Sequence, residues 1–325
     1  MPGRQSGRAH NGSHGSFPEG RGAHATLRVR HRPDLPAAVT RSVPFLFLIL
    51  LLTLVPAVGH AGSAFLTTSD DVHLHYETRG DKASGGAPMV FIPGWTMPAS
   101  IYEAQLAHFS KTHRVIALDP RSQGASAIAR TGHEPERRAR DIHELLEHEK
   151  LSGVILVGWS LGVLDALAYT HYHGAGRVRA LVLIDNSVGE GTPPKSSNFL
   201  KELAEDRPRA VERFVRGMFR RPQSEQYYRA LTTSALRTPY TASVELLSYP
   251  RPREFWREAL YAAQRPVLYV VTPKFAEQAE IVQRRLPHAA TAVFDGAGHA
   301  LFVDEPKRFN RTVERFLTQL PPATP

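Results

Sequence analysis

Val154-Ile155-Leu156-Val157-Gly158-Trp159-Ser160-Leu161-Gly162 is the stretch whose reading decides the fold. Its first four residues form a short apolar, β-branched run, as expected of a strand buried on both faces in a parallel sheet. Gly158 to Gly162 matches G-x-S-x-G, and residues 163–169 then carry apolar side chains at helical spacing. The pattern therefore falls at a sharp strand-to-helix turn, which is the context that gives it meaning. A serine at the tip of such a turn adopts a strained backbone, at a cost of about 1–3 kcal/mol. Neighbouring chain must come close, and Gly158 and Gly162 lack the bulk that would prevent it. The turn exposes the Ser160 hydroxyl and aims the Leu161 N–H, at a helix N-terminus, toward the place where an oxyanion would form.

Working outward, residues 65–68 and 72–78 alternate like two strands joined by Ser69-Asp70-Asp71. Residues 89–92 read as a buried strand ending in Pro93-Gly94-Trp95-Thr96-Met97, followed by a helix carrying Tyr102, Leu106 and Phe109. A strand over 114–118 ends in Asp119-Pro120-Arg121-Ser122-Gln123-Gly124, and a helix is predicted over 137–148. After the Ser160 strand and its helix comes a strand over 180–184. Strands alternating with helices imply a parallel sheet with right-handed crossovers, and ligands bind beyond the carboxyl ends of its strands. Residues 187–262 break the alternation: helical segments over 199–205, 210–219, 225–236 and 241–247 follow one another with no strand between them. They read as a helical cap inserted between two strands. Phe214, Met218, Phe219, Tyr227, Tyr228 and Phe255 could line a pocket there, although packing within the cap is the commoner role for such residues. The sheet resumes over 266–271 and 291–294, with a helix over 277–286 between them and a last amphipathic helix over 305–320. The expected organisation is a tail over 1–40, a signal peptide over 41–61, core over 62–186, cap over 187–262 and core again over 263–325.

The chain of 325 residues has 42% hydrophobic content, enough for a sizeable core. It has no cysteine, which excludes disulfides, thiolate metal sites and a cysteine nucleophile. The net charge of +9 is uneven: residues 1–61 hold seven Arg against Glu19 and Asp34, a net of +5, and the remaining +4 is spread without a basic run. No nucleic-acid function follows. Four histidines in the tail (His10, His14, His24 and His31) lack metal-ligand spacing. Residues 43–55 form a short apolar run, then small residues lead to Gly59-His60-Ala61, an acceptable cleavage site. Secretion or periplasmic export is expected, and an uncleaved anchor over 43–58 is the alternative. Only that segment would bring the chain to a membrane.

Together, Pro93-Gly94-Trp95, the 119–124 segment, the G-x-S-x-G stretch and Gly296-Ala297-Gly298-His299 resemble the α/β-hydrolase superfamily over residues 65–320. The likeness is to its small serine esterases, cofactor-free haloperoxidases and lactonases, and to the pimeloyl-ester carboxylesterase branch. The resemblance implies an α/β fold with a mostly parallel sheet, flanking helices and a cap. It also implies a hydrolytic triad, without naming a substrate. Serine needs a base within hydrogen-bond reach, and His299, in a Gly-rich loop after a strand, is the candidate. Most relatives place the triad acid after the strand that here spans 266–271, but Thr272-Pro273-Lys274-Phe275-Ala276-Glu277 holds no aspartate. Some members place it one strand earlier, which points to Asp185; Glu277 and Glu190 remain alternatives, Glu277 with the ordinary role of a helix N-terminal charge. The oxyanion donors implied are the N–H groups of Leu161 and, by resemblance, Trp95. The family motif usually has Gly where Ser122 stands; the segment is expected to be a turn in which Arg121 pairs locally, and Asp165 is expected to be structural.

The leading expectation is a serine hydrolase that cleaves small-molecule carboxylic esters through an acyl-enzyme on Ser160, with no cofactor or metal. A serine nucleophile argues against the alkyl-enzyme chemistry of dehalogenases and epoxide hydrolases. An acyltransferase or perhydrolase on the same triad is the alternative, as is a catalytically silent binding protein. A tail of forty residues before an apolar core is unusual for an exported chain, and a downstream start such as Val29 or Val39 would explain it. Mass spectrometry of the precursor in cells is expected to find no peptide from residues 1–28, and finding one refutes the downstream start.

Overall fold

The computed structural model describes residues 62–82, 85–193, 197–248 and 251–321. The expected tail and signal peptide lie outside these residues. An eight-stranded sheet runs in the order β1-β2-β4-β3-β5-β6-β7-β8. Its strands are β1 (Gly62–Thr67), β2 (His73–Arg79), β3 (Gly86–Ile92), β4 (His113–Leu118), β5 (Val154–Trp159), β6 (Val178–Ile184), β7 (Val267–Val271) and β8 (Ala290–Val293). β1 pairs with β2, and β2 with β4, in antiparallel fashion; the other neighbours are parallel. β5 is the centre of the sheet and is buried along its whole length. Helices α1 (Glu103–Phe109), α2 (Pro135–His148), α3 (Leu161–His173), α9 (Ala276–Arg285), α10 (Leu301–Asp304) and α11 (Pro306–Thr318) accompany it. α3 is buried on nearly every side, so its apolar residues run all round it and not along one stripe.

Between β6 and β7 stand α4 (Phe199–Glu205), α5 (Arg207–Gly217), α6 (Glu225–Arg237), α7 (Tyr240–Glu245) and α8 (Arg253–Ala262). The helix α8 lies beyond the helical segments expected of the cap. Pro252 and the nearby Arg residues look like linker, yet Trp256, Ala259 and Leu260 bury one face of a helix that Pro252 caps. The last helix starts at Pro306, with Glu305, its expected first residue, at the N-cap. Pro306 occupies its first turn and separates it from the short α10, because proline is tolerated at a helix start and not within it. Among the described residues no helix is long and apolar enough to cross a membrane.

The turn after β4 corrects one expectation. The Arg121 side chain is fully buried and does not pair locally. Its Nε and Nη2 each donate at 2.7 Å to the two oxygens of Asp141 on α2, and Nη1 donates to Asp70, in the β1–β2 turn, at 3.0 Å. The carboxylate nearest in sequence, Asp119, is already taken by Ala99 N–H at 2.5 Å, Ala125 N–H at 2.8 Å and the His75 ring at 2.7 Å. Ser122 has φ 65°, a left-handed value that explains why the family motif favours glycine there. Its Oγ meets the His133 ring at 2.9 Å and accepts from Ala129 N–H at 3.0 Å, contacts a glycine could not make. Asp165 on α3 accepts from Arg138 Nε on α2 at 2.7 Å in a buried pair that joins the two helices.

Removing a partner from a buried ion pair strands the other charge, at a cost of about 3–5 kcal/mol. Arg121→Met is expected to lower unfolding free energy by about 3 kcal/mol in urea titrations, the low end of that range, because Arg137 stays beside Asp141. Arg140→Met removes only an exposed pair with Glu144 and is expected to cost about 0.5 kcal/mol or less.

Candidate active site

The backbone at Ser160 is left-handed, with φ 53° and ψ −120°, between the end of β5 and the start of α3. Two glycines make this turn sterically feasible. A Cβ at Gly158 would stand 2.2 Å from the carbonyl oxygen of Gly162, and one at Gly162 would stand 2.2 Å from that of Ile92. Both obstacles are backbone and cannot rotate away. Ser160 N–H donates to Ile184 O at 2.9 Å, and the Asn186 side-chain amide donates to Ser160 O at 2.8 Å. β6 and the loop after it therefore hold the turn.

Asp185 follows β6, also with a positive φ, of 48°. Its N–H donates to Val270 O at 2.9 Å, so β7 fixes its position. His299 lies in the loop after β8. Its Nδ1–H donates to Asp185 Oδ2 at 2.8 Å, and Nε2 accepts the Ser160 hydroxyl at 2.8 Å. That tautomer is the one that leaves Nε2 free to take a proton. The three residues come from three strand ends and are brought together by the sheet order. Asp185 Oδ1, the other oxygen, accepts Thr272 N–H at 2.7 Å and Thr272 Oγ1–H at 2.8 Å. Thr272 fills the slot after β7 where most relatives carry the acid; here it braces a carboxylate supplied by the previous strand. Burial, and then the charge of Asp185, push the Tyr269 phenol well above its usual range, so it stays protonated and donates to Asn186 O at 2.6 Å.

The other acids considered are elsewhere. Glu277 is exposed in the first turn of α9, and its oxygens lie 3.4 Å from Thr192 N and Oγ1. Glu190 is buried with Tyr261 at 2.7 Å and Arg285 at 3.0 Å. Neither meets His299, because each is consumed by the packing between α9 and the cap.

The Leu161 N–H is the first of α3 and has no acceptor within its own helix. Among the described residues the Trp95 N–H likewise has no protein acceptor. The Trp95 N–H shares a planar peptide with the Gly94 carbonyl, so fixing one aims the other the opposite way. That carbonyl accepts Gln123 Nε2 at 3.2 Å and Met97 N–H at 3.2 Å, while Gln123 Oε1 accepts Thr96 N–H at 2.8 Å. Gln123 thus orients the loop from the turn after β4. The Trp95 ring is buried against Phe199 and Phe214 of the cap at centroid distances of 5.2 and 5.0 Å, and its Nε1–H donates to Ser243 O at 2.8 Å. Of the other cap residues named above, Phe219 packs against Tyr227 and Tyr228, and Phe255 against His171, Tyr172 and Trp256.

Two anchors of the His299 loop carry no sequence signal. Trp159 Nε1–H donates to His299 O at 2.8 Å. The Asp304 carboxylate accepts Gly298 N–H at 2.7 Å and, from the cap, Arg220 N–H at 2.8 Å and Arg221 N–H at 3.2 Å. Among the described residues no group of three or more His, Asp or Glu side chains gathers as a metal ion requires.

A family model described as Alpha/beta hydrolase family matches residues 89–312. The chain belongs to the alpha/beta hydrolase family. This hydrolase-family chain is 36% identical over 121 residues to a non-heme haloperoxidase of Rhodococcus erythropolis, covering 37% of the chain and 43% of the relative. It is 33% identical over 156 residues to a non-heme chloroperoxidase of Burkholderia pyrrocinia, covering 44% and 55%. These matches span about half the length of the curated relatives. Over 80% of the chain and 99% of the relative it is 22% identical to the AB hydrolase superfamily protein YisY of Bacillus subtilis. Among solved structures, the esterase EaEST of Exiguobacterium antarcticum superposes with a TM-score of 0.71 at 23% identity, covering 79% of the chain and 100% of that structure. A bromoperoxidase of Bacillus anthracis gives 0.70 at 23% identity, again covering 79% and 100%. At such identities the likeness shows the fold.

The Gly162 approach gives a direct test of the turn. Gly162→Ala is expected to destabilise this hydrolase-family chain by about 3 kcal/mol or more in urea unfolding, because the obstructing atom is backbone. Gly176→Ala, where a Cβ meets nothing within 4 Å, is expected to change stability by about 0.5 kcal/mol or less.

Proposed function

We propose that the protein is a serine hydrolase that cleaves small carboxylic esters through an acyl-enzyme. The observation that carries this reading is the continuous hydrogen-bond relay from Ser160 Oγ through the His299 ring to Asp185, each link 2.8 Å long. In the proposed reaction His299 Nε2 takes the Ser160 proton as Oγ bonds to the ester carbonyl carbon. The N–H groups of Leu161 and Trp95 receive the oxyanion. His299 then protonates the departing alkoxide, and the ester C–O bond breaks. Water, activated by the same ring, releases the acid in the second half. Asp185 keeps the ring in the productive tautomer and stabilises its charged form; it does not itself need to take the proton. Each oxyanion donor contributes about 2.7–4 kcal/mol of transition-state stabilisation.

The names of relatives favour a second acceptor for the same acyl group. The Acinetobacter calcoaceticus protein described as a bifunctional esterase/perhydrolase is 30% identical over 122 residues. In that variant hydrogen peroxide takes the place of water and the product is a peracid. A silent binding protein is less well supported, since Asp185 supplies the acid whose absence after β7 suggested it. Export is part of the same proposal and rests on the apolar run over 43–55 and the small residues after it.

The full chain is expected to hydrolyse p-nitrophenyl acetate and butyrate, with Ser160→Ala reducing kcat to background. Asp185→Asn is expected to lower kcat by about 10⁴-fold, while Glu277→Gln leaves it unchanged. Activity surviving Ser160→Ala, or lost with Glu277→Gln and kept with Asp185→Asn, overturns the assignment.

A further inference from the structure

A second serine, histidine and aspartate stand in relay on the opposite flank of the sheet. Ser63 lies on β1, and its Oγ is 2.7 Å from His75 Nε2 on β2. His75 Nδ1 is 2.7 Å from Asp119 Oδ2 after β4. The Asp119 carboxylate also accepts Ala99 N–H at 2.5 Å and Ala125 N–H at 2.8 Å, so it is held by backbone from both sides. The carboxylate accepts the hydrogen bond of the ring's Nδ1–H, which leaves Nε2 to accept the Ser63 hydroxyl. The histidine and the aspartate are buried, whereas Ser63 is exposed. A groove of about 530 Å³ opens beside the histidine and the aspartate, which line it together with Glu77, Tyr227 and Leu231. Phe65, two residues along the same strand, lies with its ring 5.2 Å from the imidazole.

We propose that Ser63 is an activated serine and a site of covalent acylation by small activated esters, separate from Ser160. Ser63 Oγ bonds to the ester carbonyl carbon, its proton passes to His75 Nε2, and the bond from that carbon to the leaving oxygen breaks. The proton then leaves with the departing alcohol, or passes to solvent when the leaving group is a stable phenolate. Ser63 sits within a regular strand opposite Glu77, not on a strand-to-helix turn, so it lacks the pair of aimed amides that such a turn provides. Deacylation is correspondingly slow, and the site takes up one acyl group without turning over. The inference is independent of the reading of Ser160.

Hydrogen bonding to Asp119 raises the His75 ring above the usual histidine range, so the test is run at pH 9, where the neutral ring is more populated than at neutral pH. The Ser160→Ala full chain is treated with p-nitrophenyl acetate, and acetylation is followed peptide by peptide by mass spectrometry. Ser63 is expected to acetylate at least about tenfold faster than the exposed Ser100 and Ser152, and His75→Gln is expected to bring it down to their rate. No adduct at Ser63, or a rate equal to that of the other two serines, overturns the proposal. That comparison needs no change at His75 and stands even if His75→Gln fails to fold. A rate unaffected in a folded His75→Gln chain overturns it as well.

Discussion

The site depends on two close approaches between backbone segments. Gly158 faces the carbonyl of Gly162, and Gly162 faces the carbonyl of Ile92, each at a distance that leaves no room for a Cβ. Without them the chain could not reverse at Ser160 in a left-handed conformation, and α3 could not start directly over the end of β5. The same packing that strains Ser160 exposes its hydroxyl and frees the Leu161 N–H. Strain of this kind persists because surrounding structure over-determines it. Here Ile184 and Asn186 hold the Ser160 peptide from β6 and the loop after it, so the turn is an outcome of sheet order as much as of local sequence.

Sheet order also decides the relay. Asp185 and His299 are 114 positions apart and meet because β6, β7 and β8 are consecutive neighbours in a parallel sheet, with their carboxyl ends on one edge. Ser160 and His299 were legible in the sequence because each stands in a glycine-rich loop directly after a recognisable strand. Asp185 was legible only as one candidate among three. A strand-end aspartate is common, and what distinguishes this one is the Thr272 hydroxyl and amide that take its second oxygen. Threonine after a strand carries no such message by itself. Glu277, near the usual slot after β7, and Glu190, in the linker after β6, were the other candidates and are spent on other partners.

What escaped the sequence is mostly long-range polar pairing. Arg121 suggested a local turn contact, but the nearer acid was already committed to two amides and an imidazole, and the guanidinium reaches α2 and the β1–β2 turn instead. Asp304 ties the His299 loop to the cap through three amides, yet reads as an ordinary acid before a proline helix start. Gln123 lies inside a motif that reads as a simple turn, while its amide spans Gly94 and Thr96 and so directs the Trp95 peptide. Hydrophobic periodicity reports faces and lengths; it does not report which buried donors will meet which acceptors. That is also why the aromatic residues of the cap could be named in advance but not sorted. Of the aromatic residues named, Phe214 reaches Trp95, Phe219 packs against Tyr227 and Tyr228, Tyr227 also lines the groove beside His75, and Phe255 packs against α3.

In the proposed reaction the Ser160 hydroxyl itself becomes bonded to the acyl group during turnover. The most direct measurement is rapid quenching of the full chain within the first turnovers of a p-nitrophenyl ester, followed by mass analysis of the peptide that contains Ser160. A transient acyl adduct on Ser160 is expected to form as p-nitrophenolate is released and to decay at the steady-state rate. Turnover with Ser160 unmodified at every quench time would contradict it.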